Sequence, residues 1–339
     1  MSDLVRLSTA DAEALATDAL VASRTSPANA GPTARALVAA EADGQAGHGL
    51  SRVPSYALHA RVGKVDGFAV PRLERVSHAA VRIDAGHGFA YPAVDLAIES
   101  LVPLARQAAV AAAIVCHSHH FGQAGAHAER LASAGLVAIV LGNTPAAMAF
   151  WGGRRPALGT NPIAFAAPLP GGRAPLVVDL ALSVAARGKI VAAQKAGRPI
   201  PPDWAVGPDG SPTTDPGQAL AGALAPIGGA KGAALALMVE VLAAALGGSA
   251  FGWRSSSMFD DHGGPPDLGH LLLALDPARL SGDTFGARML ELVRAVEDEP
   301  GARLPGLRRL ESRERAAREG LAVSAALHEE ICSIVARPA

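Results

Sequence analysis

Between residues 68 and 185, apolar runs of strand length alternate with segments of helix length. This alternation constrains the fold more than any other feature. RLERVSHAAVRIDAG (72–86) reads as two strands and a turn. AYPAVDLAIESLVPLARQAAV (90–110) carries its apolar residues at helical spacing. AAAIVCHS (111–118) is an apolar strand that empties into HHFGQAG, and AGAHAERLASAGL is a helix that Gly135 stops. VAIVLGN, IAFAAPL and APLVVDLAL are further strands, and TPAAMAFWGGRRPALGTNP between the first two is a loop. A chain patterned in this way builds an α/β domain. GAKGAALALMVEVLAAALGG (229–248) then reads as a buried helix and GHLLLALDP (269–277) as one more strand. KAGRPIPPDWAVGPDGSPTTDPGQAL (195–220) is rich in Pro, Gly and Asp and reads as a long surface connection.

The flanks are helical. Ser8 and Asp11 form a capping box ahead of ADAEALATDALVAS, TSPANAGP (25–32) breaks that helix, and TARALVAAEADG is a second one. SRVPSYALHARVGKVDG is a third, starting near Ser51. After residue 281 the chain is helical again, apart from EDEPGARLPGLRR. A net charge of −1 provides no basic field for nucleic acid or an anionic membrane. The apolar runs are too short to span a bilayer. Cys116 and Cys332 make no disulfide framework. The opening MSDLVRLSTADAEAL lacks a charged-then-apolar signal design, so a cytoplasmic protein is expected.

The candidate chemistry begins at QAGHGLSRVPSY (45–56). His48 lies between two glycines, and Arg52 follows four residues later. One group titrates near neutral pH and the other is a fixed two-pronged cation, a pair suited to a small carboxylate that gains or loses a proton. The alternative is a surface His and Arg at a helix end. Neither G-x-G-x-x-G at a strand-to-helix turn nor G-x-x-x-x-G-K-[ST] occurs, which argues against a Rossmann domain or a P-loop. VCHSHHFGQAGAHAERL leaves a strand and enters a helix through small residues, the shape of an anion site. Strand alternation puts His117 and His119 on one face and His120 on the other. No metal is expected from these histidines, because H-E-x-x-H is missing. LGTNP (158–162) presents Thr160 in a tight loop, or is an ordinary turn. VVDLALSVAARGKI (177–190) carries Asp179 at a strand end, placed to meet a ribose or to cap the following helix, and Lys189 beyond it. PIGGAKGAAL enters a helix through glycines with Lys231 beside them, and RLPGLRR (303–309) is an arginine-rich turn suited to phosphate or solvent.

In order and spacing, GHGLSRVPSY, SHHFGQAG, LGTNPIAFAAP, VVDLALSVAARGKI, IPPDWAV with PTTDP, GGAKGAALALMVEVL and RLPG resemble the malate/L-lactate dehydrogenase family of the second type. This is the sulfolactate-dehydrogenase-like family, which includes ureidoglycolate dehydrogenase and the Δ1-piperideine-2-carboxylate and Δ1-pyrroline-2-carboxylate reductases. The resemblance implies a three-layer α/β fold with a mixed sheet, unrelated to Rossmann. It also implies a helical domain formed by both termini (1–67 and 286–339) around an α/β cofactor and substrate domain (68–285). A homodimer is expected, using NADP or NAD with NADPH favoured, and a small 2-imino or 2-oxo carboxylate. His48 becomes the acid, with His120 named instead in some members. Arg52 becomes the carboxylate clamp, with Thr160, Arg187 and Lys189 near the substrate. His120, Phe121, Gly122, Gln123, Ala124, Val178, Asp179, Leu180, Ala230, Lys231, Arg303, Pro305, Gly306 and Arg309 are implied around the cofactor.

Two positions depart from the pattern. Many members carry serine where Gly47 stands, and the imine reductases with a Ser-His-Asp relay carry aspartate near Lys189. RGKI is similar to the hydroxyacid dehydrogenases, whereas GHGLSRVPSY and RIDAGHGFAYPAVDLA are most similar to the cyclic imine reductases. The expected function is therefore reduction of Δ1-pyrroline-2-carboxylate or Δ1-piperideine-2-carboxylate to L-proline or L-pipecolate. The alternative is a 2-hydroxyacid dehydrogenase of the malate, lactate, ureidoglycolate or sulfolactate type. A third reading, a binding protein that has lost turnover, rests on Gly47 alone.

Overall fold

The computed structural model describes residues 3–337 and residue 339. The first two positions of the expected helical unit and residue 338 lie outside the described residues. A seven-stranded sheet runs in the order Arg72–Ser77, Ala80–Asp84, Val110–Ser118, Leu268–Leu275, Val137–Gly142, Ile163–Ala167 and Leu176–Leu180. Only Ala80–Asp84 and Val110–Ser118 pair in parallel; the other neighbours are antiparallel, so the sheet is mixed.

The central strand, LGHLLLAL, is a nearly continuous apolar run because helices cover both faces of the sheet. Leu272 and Ala274 enter the core under helices Ala90–Ala108 and Ala124–Ser133, which also takes Val94, Leu101 and Leu131. Leu271 points the other way, into a core with Ala236, Val239 and Ala243 of the helical run Ala230–Ala245. The period of two along one strand thus separates the outer layers, and the fold is the three-layer α/β arrangement with a mixed sheet. Gly269 lets the second layer approach: an added Cβ there would lie 1.9 Å from the Ala243 carbonyl oxygen.

Helices from both ends share a second core, with Leu20, Leu37, Val53, Tyr56 and Ile331 in it. Strand Leu4–Leu7 pairs antiparallel with Leu321–Ser324 and ties the ends together. The Ser8 cap forms as expected, its hydroxyl accepting the Asp11 N–H.

Several expectations are corrected. TSPANAGP does separate two helices, the first ending at Val21, but the second starts earlier than expected: Ser26 caps a helix that begins at Pro27, where proline is tolerated, and that carries Pro32 inside it. Helix 230–245 is buried on one side only, since Leu235, Met238 and Val241, and Leu246 just after it, are exposed. An all-round apolar sequence conceals which side is covered. The 195–220 connection carries strand Ala205–Val206 and helix Pro216–Ala221. The strand joins Ala223–Leu224, Met148–Ala149 and Pro156–Leu158 in a small four-stranded sheet, so the 144–162 loop is partly strand. Among the described residues no helix is long and apolar enough to cross a membrane.

Replacing Gly269 with alanine would press a methyl group on a backbone carbonyl that cannot swing away. We expect a loss of about 1–3 kcal/mol in unfolding free energy, read as a lower urea midpoint. An unchanged midpoint would show that the layer can move aside.

Candidate active site

The helix Pro27–Ala42 hands the chain to two short 3-10 turns, Ala46–His48 and Leu50–Arg52, which run into helix Val53–Val62. Gly49 is required here, because a Cβ would fall 2.2 Å from Glu41 Oε2. That carboxylate accepts the Leu50 N–H at 2.9 Å. Gly47 is not required: nothing lies within 4 Å of a Cβ placed there. Arg52 Nε donates to the Gly47 carbonyl at 2.7 Å, which aims the rest of the guanidinium outward. The Phe259 ring lies 5.3 Å from the Arg52 guanidinium carbon.

His120 comes from the far side of the site. Strand Val110–Ser118 ends just before it. The expected alternation of His117, His119 and His120 fails because His117 takes a left-handed φ of 49° and the strand stops. The His48 and His120 rings stack with centroids 5.3 Å apart. Tyr56, on helix Val53–Val62, places its hydroxyl 2.8 Å from His120 Nδ1, and the Tyr91 hydroxyl lies 3.4 Å from that of Tyr56. His119 Nε2 faces His59 Nδ1 at 3.0 Å, and His270 Nε2 donates to the His119 carbonyl. Phe121 stacks on His270 at 4.2 Å, and its carbonyl accepts from His127 Nε2 at 2.7 Å.

This packing sets the protonation. Burial, then the Arg52 charge, lowers His48 to about 4. Burial first and Arg52 second also hold His120 well below its ordinary value. Burial pushes His127 down to about 4 and His270 to about 3, and lowers His119. The site therefore presents one guanidinium and neutral imidazoles at neutral pH.

Sequence reasoning singled out His48, Arg52 and His120, and the structure brings them near one another. It missed Tyr56, Tyr91, His59 and Phe259. A signal existed for two of these: Arg52, Tyr56 and His59 repeat at four and three residues, one helical face.

The remaining expected residues divide. Asp179 caps a helix, but the preceding one: its Oδ2 accepts the Gly125 N–H at 2.8 Å. Burial raises the Asp179 carboxyl, against that hydrogen bond. Gly306, with φ of 87°, sits over the 176–180 strand, where a Cβ would be 3.2 Å from the Val177 carbonyl oxygen. Arg303 and Pro305 beside it are exposed, and Val178 and Leu180 lie on that same strand. Arg309 is buried, and its guanidinium pairs with Glu129 and Asp43. It is not an exposed phosphate contact; its long-range acidic partners already neutralise it. Arg187 donates to the Leu220 carbonyl, and Lys189 Nζ stands 5.9 Å from the Trp204 ring centroid. Both face the 200–220 segment. Thr160 approaches Thr144, while Asn161 is fully buried and donates to Glu240 and the Ala236 carbonyl.

The residues fit a dinucleotide without a Rossmann loop. Gly228 and Gly229 take φ of 57° and 64° at the start of helix Ala230–Val239, with Lys231 exposed on its first turn. Gly122 has φ of 70°, and a Cβ there would strike the Tyr91 hydroxyl at 2.5 Å, so the Phe121–Ala124 segment keeps a bare backbone. Among the described residues the buried Gln123 Oε1 has no partner. Among the described residues, Asp84, Cys116 and His117 bring possible metal-ligand atoms within 4.8 Å. Asp84 is already used by Gly86 N–H and His117, and burial raises the Cys116 thiol, so no metal centre is drawn there.

The chain thus sets a guanidinium beside paired imidazoles on a three-layer fold with glycine-entered helix starts, an arrangement that suits a dehydrogenase. The profile of the malate/L-lactate dehydrogenase family matches residues 7–332, and the chain belongs to that family. It is an NAD(P)-dependent oxidoreductase. It is 52% identical to the (2R)-3-sulfolactate dehydrogenase (NADP(+)) of Chromohalobacter salexigens, over 89% of this chain and 90% of that one. It is 42% identical to the Δ1-pyrroline-2-carboxylate reductase of Ancylobacter novellus over 98% of both chains. The crystal structure of the Δ1-piperideine-2-carboxylate reductase of Pseudomonas syringae superposes with a TM-score of 0.92 and 38% identity, covering 97% of this chain and 99% of that one.

The buried neutral histidines make stability depend on pH. Below about 6.5 the unfolded chain takes up protons that the folded chain refuses, so stability falls as pH drops toward 4. For His127, lowered to about 4, the full effect is about 3 kcal/mol. The urea midpoint should fall clearly between pH 7 and pH 5; a flat profile would mean these imidazoles are protonated in the fold.

Proposed function

We propose that the chain reduces a small cyclic 2-imino carboxylate with NADPH, of the Δ1-pyrroline-2-carboxylate or Δ1-piperideine-2-carboxylate kind, giving L-proline or L-pipecolate. One observation carries this reading: His48 and His120 are held neutral beside a single fixed cation, Arg52. A cyclic imine that arrives protonated brings its own proton and one carboxylate. Arg52 pairs with the carboxylate, and neutral imidazoles receive the iminium without repelling it. Bound at this site, the reduced nicotinamide supplies the hydride to C2. Arg52, aimed by the Gly47 carbonyl, fixes the angle of the substrate, and the Phe259 ring walls one side. The relatives named as pyrroline-2-carboxylate or piperideine-2-carboxylate reductases support the same substrate class.

A second reading has its own support. The relative of 52% identity is named for 3-sulfolactate, and Lys189 in RGKI is similar to the hydroxyacid dehydrogenases. The 2-oxo partner of such a substrate carries two anionic groups and needs a protonated imidazole as acid. Arg187 and Lys189, the cations expected to help, face the 200–220 segment instead. The enzyme works in the cytoplasm as a homodimer, with the second copy covering Leu235, Met238, Val241 and Leu246. A Met238→Glu variant should then run as a monomer in light scattering, and a dimeric variant would move the interface elsewhere.

NADPH oxidation with cyclic 2-imino acids and with open-chain 2-oxo acids tests the substrate class. Turnover of the cyclic imines is expected to dominate; turnover confined to the 2-oxo acids would overturn it. Arg52→Ala should lower kcat/KM about 10- to 100-fold, mostly through KM. His48→Ala should abolish turnover while NADPH binding, followed by fluorescence, survives.

A further inference from the structure

We infer that Tyr56, backed by Tyr91, locks His120 in the tautomer whose Nε2 carries the proton, so that His120 is a fixed hydrogen-bond donor at the site. This rests on the proposed reading in one respect only, that His120 faces the substrate.

The argument is an inventory of hydrogens. Tyr56 and Tyr91 are buried, 0% and 3% exposed, so each hydroxyl must find its partner inside the protein. The Tyr56 oxygen has three neighbours: His120 Nδ1 at 2.8 Å, the Tyr91 hydroxyl at 3.4 Å and the His120 carbonyl at 3.5 Å. Suppose Nδ1 carried the proton and donated to Tyr56. The Tyr56 hydrogen would then turn to one of two long contacts. If it turned to Tyr91, the Tyr91 hydrogen would have no acceptor. Suppose instead that Tyr56 donates to Nδ1. Then Tyr91 donates to Tyr56, both hydrogens are used, and the short contact takes the stronger donor. If, with Nδ1 protonated, the Tyr56 hydrogen turned instead to the His120 carbonyl, every hydrogen would again be used, but the Tyr56 hydrogen would rest on the 3.5 Å contact; the second arrangement puts it on the 2.8 Å contact and leaves the proton of the neutral ring on Nε2. Burial raises both phenols above their ordinary values, so both keep the hydrogen the chain needs.

The two imidazoles then differ in kind. Among the described residues His48 Nδ1 is buried without any partner, so none of them fixes the tautomer of that ring. His48 can take whichever form the substrate nitrogen requires, and His120 cannot. His48 receives the iminium N–H, and His120 donates to an anionic or lone-pair atom beside Arg52. Tyr56 and Tyr91 are positioning residues that act through His120.

Nitrogen NMR of protein labelled at histidine, with His120 identified by its loss in a His120→Gln sample, reads the tautomer without any turnover. The expected result is a bare, hydrogen-bonded Nδ1 and a protonated Nε2. A protonated Nδ1 in the native protein would overturn the inference. Tyr56→Phe keeps the ring volume, and its melting temperature checks the fold. It should lose at least about 10-fold in kcat, with NADPH affinity unchanged. The acid limb of its kcat/KM profile should move to higher pH, because Nδ1 loses the donor that disfavours its protonation. A merely structural tyrosine would leave that limb in place, and an unmoved limb with an unchanged tautomer would refute the role. If the native enzyme turned over no C2 imine or oxo acid, the proposed function would fall, while the NMR result would still decide the tautomer.

Discussion

Four charges hold the two halves of the site in register. Asp43 closes the helix that leads to His48. Glu129 belongs to the helix that follows His120, and Arg309 and Arg313 come from helix Leu307–Glu319 near the other end of the chain. Arg313 donates to Asp43 at 2.8 Å and to Glu129 at 3.0 Å, and Arg309 bridges the same two carboxylates. Gln123 Nε2 adds a contact to Asp43 at 3.2 Å. Burial opposes the Glu129 charge, yet the two arginines bring its carboxyl below its ordinary value, and the hydrogen bonds to Asp43 and Glu129 raise Arg313. A buried network of this kind adds little net stability over an apolar core, but the loss of one partner leaves a stranded charge. Its effect here is geometric. It joins the segment bearing His48 to the segment bearing His120, and the 5.3 Å stack of those rings depends on that joint.

The same cluster shows why some of the site was not legible in the sequence. His48 and Arg52 could be read because they stand four residues apart with glycines around them, a local signal. Arg309 reads as a phosphate contact for an equally local reason, since it ends an arginine-rich turn. Its real partners are 180 and 266 residues away, and no local pattern records them. Asp179 failed in a similar way: capping was foreseen, but the helix it caps begins at Ala124, across the sheet.

The fold shows the same boundary. The strands of the large sheet were visible because each is a short apolar or alternating run with punctuation at its ends. The pairing of Leu4–Leu7 with Leu321–Ser324 was not, because each partner is four residues long and only tertiary contact makes it a strand. Helix 230–245 was visible as a helix, yet its exposed side was not, since its residues are apolar all round.

Gly47 gains its meaning only from these surroundings. By sequence alone it looks like a missing relay residue, and it supports a protein that has lost its chemistry. In the fold, the Gly47 carbonyl aims Arg52, and a side chain at this position would meet open space. What the position supplies is its backbone oxygen. Tyr56, on the helix that follows, meets His120 Nδ1 with its hydroxyl and shares a face with Arg52. Arg52 and the hydroxyl that meets His120 therefore both come from the start of one helix, and a shift of that helix would move both together.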